Sequence, residues 1–166
     1  MNTKTQFITT DLRKALGTFA TGVTIVTTLS RDGQKVGVTA NSFSSVSLEP
    51  PLVLWSLKKN SPSIDAFDHS ARFAINVLAL TQTDLSKRFA SPIPDKFNTV
   101  AHSEGLAAIP LIDNCAASFQ CKTYQRIDAG DHILYLGEVE AYAYQDLPTL
   151  MFCKGKYMKG DELEMV

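Results

Sequence analysis

The run from Val23 to Ala40 constrains this chain more than any other. Val23–Leu29 is rich in β-branched residues, Lys35–Ala40 carries Val36 and Val38 two apart, and Arg31-Asp32-Gly33-Gln34 lies between them. β-Branched side chains fit the pleated strand, and Asp-Gly accepts the positive φ of a tight hairpin. Strands joined by so short a turn pair antiparallel. A lone hairpin is only marginally stable in water, so the rest of the chain must supply further strands.

It does so. Leu52–Leu57 is an apolar run whose approach is set by Pro50-Pro51, and Arg72–Leu80 carries Phe73, Ile75 and Val77 on one face. Cys115, Ala117, Phe119 and Cys121 alternate with Ala116, Ser118, Gln120 and Lys122, the period of a half-buried strand. After a turn at Asp128-Ala129-Gly130-Asp131, Ile133–Tyr144 alternates again. Three short helices are expected around these strands. Thr9-Thr10-Asp11 offers caps for Leu12, Ala15, Leu16 and Phe19. Ser61-Pro62 opens a helix ending near His69. Thr81 to Asp84 resembles a capping box ahead of Leu85 and Phe89. Residues 91–113, with Pro92, Pro94, Gly105 and Pro110, read as loop-rich. The expected fold is mainly β, antiparallel, with six or seven strands and a few peripheral helices. A barrel is favoured because closure removes sheet edges. Residues 1–166 are expected to form one domain, with 1–8 and 160–166 as flexible ends.

Composition excludes several function classes. The net charge of −1 over 166 residues gives no electrostatic case for nucleic acid or a membrane surface. No apolar run approaches the roughly 20 residues of a membrane span, and MNTKTQFITTDLRK has no apolar signal core. Cys115, Cys121 and Cys153 form no close pair, as suits a reducing cytoplasm. Placed on one strand, Cys115 and Cys121 would stand roughly 20 Å apart, too far for a disulfide. His69, His102 and His132 are scattered, so no metal is expected. G-x-G-x-x-G, Walker and G-x-S-x-G motifs are absent from the sequence. An enzyme built from this chain needs a cofactor to carry its chemistry.

VGVTANSFSSVSLEPPLVLW, residues 36–55, is the unusual stretch. Thr39, Asn41, Ser42, Ser44, Ser45 and Ser47 supply compact donors and acceptors and let backbone approach a ligand closely. They suit the edge of a flat heterocycle. They equally suit a polar loop whose hydroxyls cap neighbouring strands.

The set ALGTFATGVTIVTT, VGVTANSFSSVSLEPPLVLWSL, FAINVL and LSKRFA resembles the flavin reductase family with the FMN-binding split-barrel fold. It is most similar to the small reductase components of two-component flavin monooxygenases, such as the 4-hydroxyphenylacetate and phenol hydroxylase systems. The resemblance runs from about Leu12 to Tyr157. It implies a homodimer of split barrels that passes hydride from NADH or NADPH to FMN or FAD. Reduced flavin would then diffuse to a separate monooxygenase. It also implies that Thr39, Ala40, Asn41 and Ser42 line the flavin ring and ribityl chain, and that Ser56, Leu57, Lys58, Asn60 and Ser61 lie by the phosphate. Ala74 and Asn76, within Phe73-Ala74-Ile75-Asn76, would complete the wall. Lys87, Arg88 and Phe89 would reach the phosphate side. Gly130, Asp131 and His132 match a G-D-H element over the nicotinamide position, and Tyr157 borders the site or a dimer contact. Without the resemblance, the cations read as a solvated face and His132 as a turn histidine. Two other uses of such a fold stay open: a non-enzymatic flavin-binding electron carrier, and a fixed-FMN protein reducing ferric iron or a quinone.

Overall fold

A computed structural model describes residues 8–159. The ends expected to be flexible lie outside these residues, except Ile8. That residue is the N-cap of α1 (Thr9–Leu16) and makes no side-chain cap bond, so Thr9-Thr10-Asp11 lies inside the helix instead of capping it. Gly17 ends α1, and no residue of the helix is buried. The chain then enters β1 (Thr21–Gly22) and the expected hairpin, β2 (Thr24–Leu29) and β3 (Lys35–Ala40). Gly33 sits at φ +77°, the left-handed turn conformation that Asp-Gly predicted.

The serine-rich stretch is not all loop. Ser44–Leu48 forms β4, antiparallel to β5 (Pro51–Lys58), with a register shift between Ser45 and Ser47. Its mostly exposed residues show why alternation did not reveal it: β4 is an edge strand and owes the core little. Next come α2 (Ile64–His69), β6 (Arg72–Val77) and α3 (Thr83–Ala90). The expected Thr81 capping box is not formed. The Gln82 side chain instead accepts the Ala79 N–H at 2.9 Å and donates to the Asp113 carbonyl at 2.8 Å. Within the loop-rich region a small hairpin appears, β7 (His102–Glu104) with β8 (Pro110–Ile112). The expected strand from Cys115 begins later and runs further, as β9 (Ala117–Ala129). It pairs with β10 (His132–Tyr144), and β11 (Leu150–Cys153) and β12 (Lys156–Lys159) close the chain.

The main sheet has seven antiparallel strands in the order β3-β2-β6-β9-β10-β5-β4. β3 and β5 are separated by five ladders in that order, yet Val38 of β3 and Val53 of β5 share one core cluster with Val26, Trp55, Phe73, Ile75 and Tyr135. The sheet therefore curls until its ends meet. Trp55 is at the centre, with ring centroids 4.7 Å from Phe67, 5.1 Å from Tyr135 and 5.9 Å from Phe73. A second cluster, including Ile25, Leu78, Phe89, Phe97 and Leu150, joins α3 and the β1-β11-β12 sheet to the other face. Among the described residues no ladder joins β3 to β4 or β5, so the barrel stays split along that seam.

Close packing makes two expected outcomes. A Cβ at Gly137 would stand 2.5 Å from the Phe73 ring and 2.8 Å from Cys121 Cβ. Gly137→Ala is expected to cost about 1–3 kcal/mol of stability, read as a lower urea midpoint. Cys115 and Cys121 are buried in different clusters, and burial pushes both thiols up to about 12. Iodoacetamide is expected to label Cys153 in the native protein and all three cysteines after denaturation, as counted by mass spectrometry.

Candidate functional site

A cavity of about 960 Å³ lies on the seam, at the upper end of the roughly 300–1,000 Å³ typical of ligand sites. β3 and the turn after it contribute Val38, Thr39, Ala40, Asn41 and Ser42. The end of β5 and the turn beyond give Ser56, Leu57, Lys58, Asn60, Ser61, Pro62 and Ser63. The last turn of α3 and the strap that follows supply Phe89, Ala90, Ser91, Pro92, Ile93, Pro94 and Lys96, and His132 of β10 completes the lining. No Asp or Glu lines it; its ionisable side chains are Lys58, Lys96 and His132. Such a wall favours an anion.

The small residues are held by specific bonds. Ser42 Oγ accepts the Ser56 N–H at 2.9 Å and donates to the Ser56 carbonyl at 3.2 Å, so one hydroxyl stitches the two sides of the seam. Thr39 Oγ1 donates to the Ser86 carbonyl at 2.7 Å, tying β3 to α3. Asn41 Nδ2 reaches Thr21 Oγ1 at 3.3 Å. Capping and ligand lining, the two readings of this stretch, are thus combined: the hydroxyls fix the backbone that walls the cavity.

At the other side, Asp131 Oδ1 lies 2.7 Å from His132 Nδ1. That bond holds the Asp131 carboxyl below the usual carboxylate range. It also occupies Nδ1, leaving Nε2 as the ring nitrogen for a ligand. Gly130 takes φ +61° in the turn. Gly130 and Asp131 therefore shape and orient His132 and do not line the cavity themselves.

Besides Gly130 and Asp131, five of the expected site residues lie off this cavity. Ala74 and Asn76 are fully buried in the core. Asn76 donates to the Ile25 carbonyl and Thr27 Oγ1 and accepts the Ile112 N–H, so its whole amide is spent bolting β6 to β2 and β8. Lys87 is exposed and sits 3.5 Å from Asp84. Arg88 donates to the carbonyls of Lys96 at 2.6 Å, Asn98 at 2.8 Å and Asp95 at 3.3 Å, bracing the strap from behind. Tyr157 is also off the cavity. Its hydroxyl meets Ser86 Oγ at 2.9 Å, and its ring packs edge-on to Phe152. The residues missed are Val38, Pro62, Ser63 and, from the strap, Ala90 to Pro94 and Lys96. The doubled proline of Ser91-Pro92-Ile93-Pro94, directly after an amphipathic helix, was the available signal of a stiff wall.

Residues 16–161 match the model of the flavin reductase like domain. The chain belongs to that family. It is 45% identical over 147 residues to the reductase component of a flavin-dependent trigonelline monooxygenase from Acinetobacter baylyi, covering 89% of this chain and 47% of that protein. The chain thus spans about half the length of that relative. An FMN reductase (NADH) of Agrobacterium fabrum is 43% identical over 147 residues, covering 87% of this chain and 82% of its own. The solved NADH:FAD oxidoreductase of Streptomyces globisporus, in complex with NAD and FAD fragments, superposes with a TM-score of 0.90 at 32% identity. That match covers 95% of this chain and 96% of the other. The mainly β, antiparallel fold expected from the sequence is the fold of that solved structure.

Removing the seam's hydroxyl tests its role. Ser42→Ala leaves the Ser56 N–H and carbonyl without that partner, at an expected cost of about 1 kcal/mol in stability. Flavin affinity, followed by fluorescence quenching, is expected to weaken in the same variant.

Proposed function

We propose that this chain is an NAD(P)H:flavin oxidoreductase, working as a single flavin reductase domain that supplies reduced FMN or FAD to a separate monooxygenase. The carrying observation is the seam cavity, which is large, free of acidic side chains, walled by backbone and short donors, and bordered by Lys58, Lys96 and His132. These residues fit a flavin. A flat ring needs walls without bulk, as Ala40 and Ser42 give, and a phosphate needs charge-assisted donors, as Lys58 with Asn60 and Ser61 gives. Bound there, flavin supplies the ring that takes up two electrons from the reduced nicotinamide.

The protein's own part is positioning and electrostatics. Ser42 and Thr39 hold the wall, Lys58 draws the phosphate, and His132, fixed by Asp131, meets the nicotinamide amide. The reaction needs no protein group to accept electrons, and the cavity lining holds no cysteine. A diffusing product also requires that flavin not be gripped too tightly.

The working form is proposed as a homodimer. α1 leaves Leu16 68% and Phe19, just beyond it, 78% exposed, and the sheet edge leaves Leu48 94% and Tyr144 78% exposed. So much apolar surface on a small chain calls for a partner. A cytoplasmic location suits three free cysteines, and no helix among the described residues is long and apolar enough to cross a membrane.

The test follows nicotinamide oxidation at 340 nm with purified protein, NADH or NADPH, and added FMN or FAD. The expected result is oxidation that rises with free flavin. A yellow protein that oxidises neither nucleotide would instead be an electron carrier. A fixed FMN with no stimulation by free flavin would point to a different electron acceptor.

A further inference from the structure

The core beside the cavity holds an arrangement that packing alone does not require. Trp55, the single tryptophan of the chain, stands directly across from Tyr135 in the β5–β10 ladder. Their rings stack with centroids 5.1 Å apart and planes 19° from parallel, and both side chains are fully buried. Trp55 precedes Ser56 and shares its core cluster with Val38 and Leu57, and those three residues line the cavity. Beyond the stack, the Tyr135 hydroxyl donates to Asp68 Oδ1 at 2.5 Å. Arg126 donates to the same carboxylate at 2.8 Å and 3.2 Å, and the Asp68 side chain is 26% exposed. Trp55, Tyr135 and Asp68 thus form a line from the cavity wall to solvent.

The two polar hydrogens of the stacked pair are placed differently. Among the described residues Trp55 Nε1 is the only buried side-chain nitrogen or oxygen without a hydrogen-bond partner. Such a group is costly and calls for a reason. The nearby rings of Phe67 and Phe73 can attract an N–H weakly but cannot take its proton. The Tyr135 hydrogen, by contrast, points at a base. Burial works against the charge on Asp68, yet the Arg126 and Tyr135 bonds hold its carboxyl below the usual range, so it is ionised. Burial and the Asp68 bond push the Tyr135 hydroxyl up, so the resting side chain is a phenol. An apolar pair would fill this core with neither the orphan donor nor the carboxylate bond.

Tryptophan and tyrosine are the aromatic side chains that most readily give up one electron. Where the vacancy then rests depends on the protons. An oxidised tryptophan stays a cation when no base takes its N–H proton. It then draws an electron from a tyrosine whose phenolic proton has a carboxylate to go to.

We propose that Trp55, Tyr135 and Asp68 form an electron relay that protects the cavity from one-electron oxidants. This rests on the flavin reading above, because oxygen radicals form where reduced flavin meets dioxygen. An oxygen radical in the cavity takes one electron from Trp55 and is itself reduced. Tyr135 returns one electron to Trp55, its O–H bond breaks, and the proton forms an O–H bond on Asp68. A tyrosyl radical then rests beside neutral Asp68, away from the cavity. A thiolate in solution supplies the electron that restores Tyr135, becoming a thiyl radical, as Asp68 gives the proton back.

The test loads the protein with FMN without oxygen and uses light, because a photoexcited flavin is itself a one-electron oxidant. Equilibrium dialysis establishes binding, and transient absorption follows the radicals. In the unaltered protein a tryptophan radical signal is expected to give way to a tyrosyl signal. Tyr135→Phe is expected to lose the tyrosyl signal and keep that of tryptophan, Asp68→Asn to lose most of the tyrosyl signal, and Trp55→Phe to lose both. A tyrosyl signal that survives in Tyr135→Phe comes from another tyrosine and overturns the relay, as does bound FMN that yields no aromatic radical. In aerobic NADH oxidation Tyr135→Phe is expected to lose activity sooner than the unaltered protein, and equal lifetimes likewise overturn the proposal. Should the variants fail to fold, the unaltered protein in heavy water decides. Conversion of the tryptophan signal to the tyrosyl signal is expected to slow there, since a proton moves with the electron, and an unchanged rate overturns the proposal. A protein that binds no FMN or FAD in dialysis refutes the flavin reading itself, and the relay with it.

Discussion

A curled sheet must do something with the backbone groups along its two ends, because unpaired N–H and C=O groups are costly when buried and hazardous when exposed. Here the ends are β3 and the β5–β4 pair, and no ladder joins them among the described residues. One side-chain hydroxyl, Ser42 Oγ, serves both backbone groups of Ser56 across the gap. Closing the barrel with a full ladder would fill the place where the cavity now lies. The split is therefore the condition for the site. The small residues that bridge it are the ones that leave room for a ligand.

The remaining architecture serves to keep that gap in register. The Trp55, Phe67, Phe73 and Tyr135 cluster fixes β5 against β6 and β10 from inside. Thr39 ties β3 to α3 through the Ser86 carbonyl, and Asn76 ties β6 to β2 and β8. Arg88 and Lys96 then hold the strap after α3 against the opening. The Thr39 and Asn76 bonds join residues 36 to 51 apart in the chain, so the cavity forms only together with the sheet.

That long range explains what was legible in the residues and what was not. The β2–β3 hairpin could be read directly, because Asp32-Gly33 and the alternating valines are local signals. So could β5 and β10, whose buried faces impose a period of two. β4 could not, since an exposed edge strand imposes no such pattern. Residues 39–42, 56–58, Asn60, Ser61, Phe89 and His132 were placed at the site on family resemblance and do line one cavity. Asn76 and Arg88 lie off that cavity, and the sequence could not show it because polar type does not reveal direction. An amide in a strand and a guanidinium on a helix can each turn to core, backbone or ligand, and only their partners decide. Lys96 was missed because it belongs to the strap beyond α3, which only the fold brings against β3 and the cavity.

The seam also ties the protein's survival to its ligand. A molecule seated between β3 and β5 joins two ends that no ladder links among the described residues, and a ligand of the folded form alone stabilises that form. Ligand at a hundred times its Kd adds about 2.7 kcal/mol to the folding equilibrium. The unfolded fraction falls about a hundredfold with that occupancy, so the gap in the sheet is also the place where binding is converted into stability.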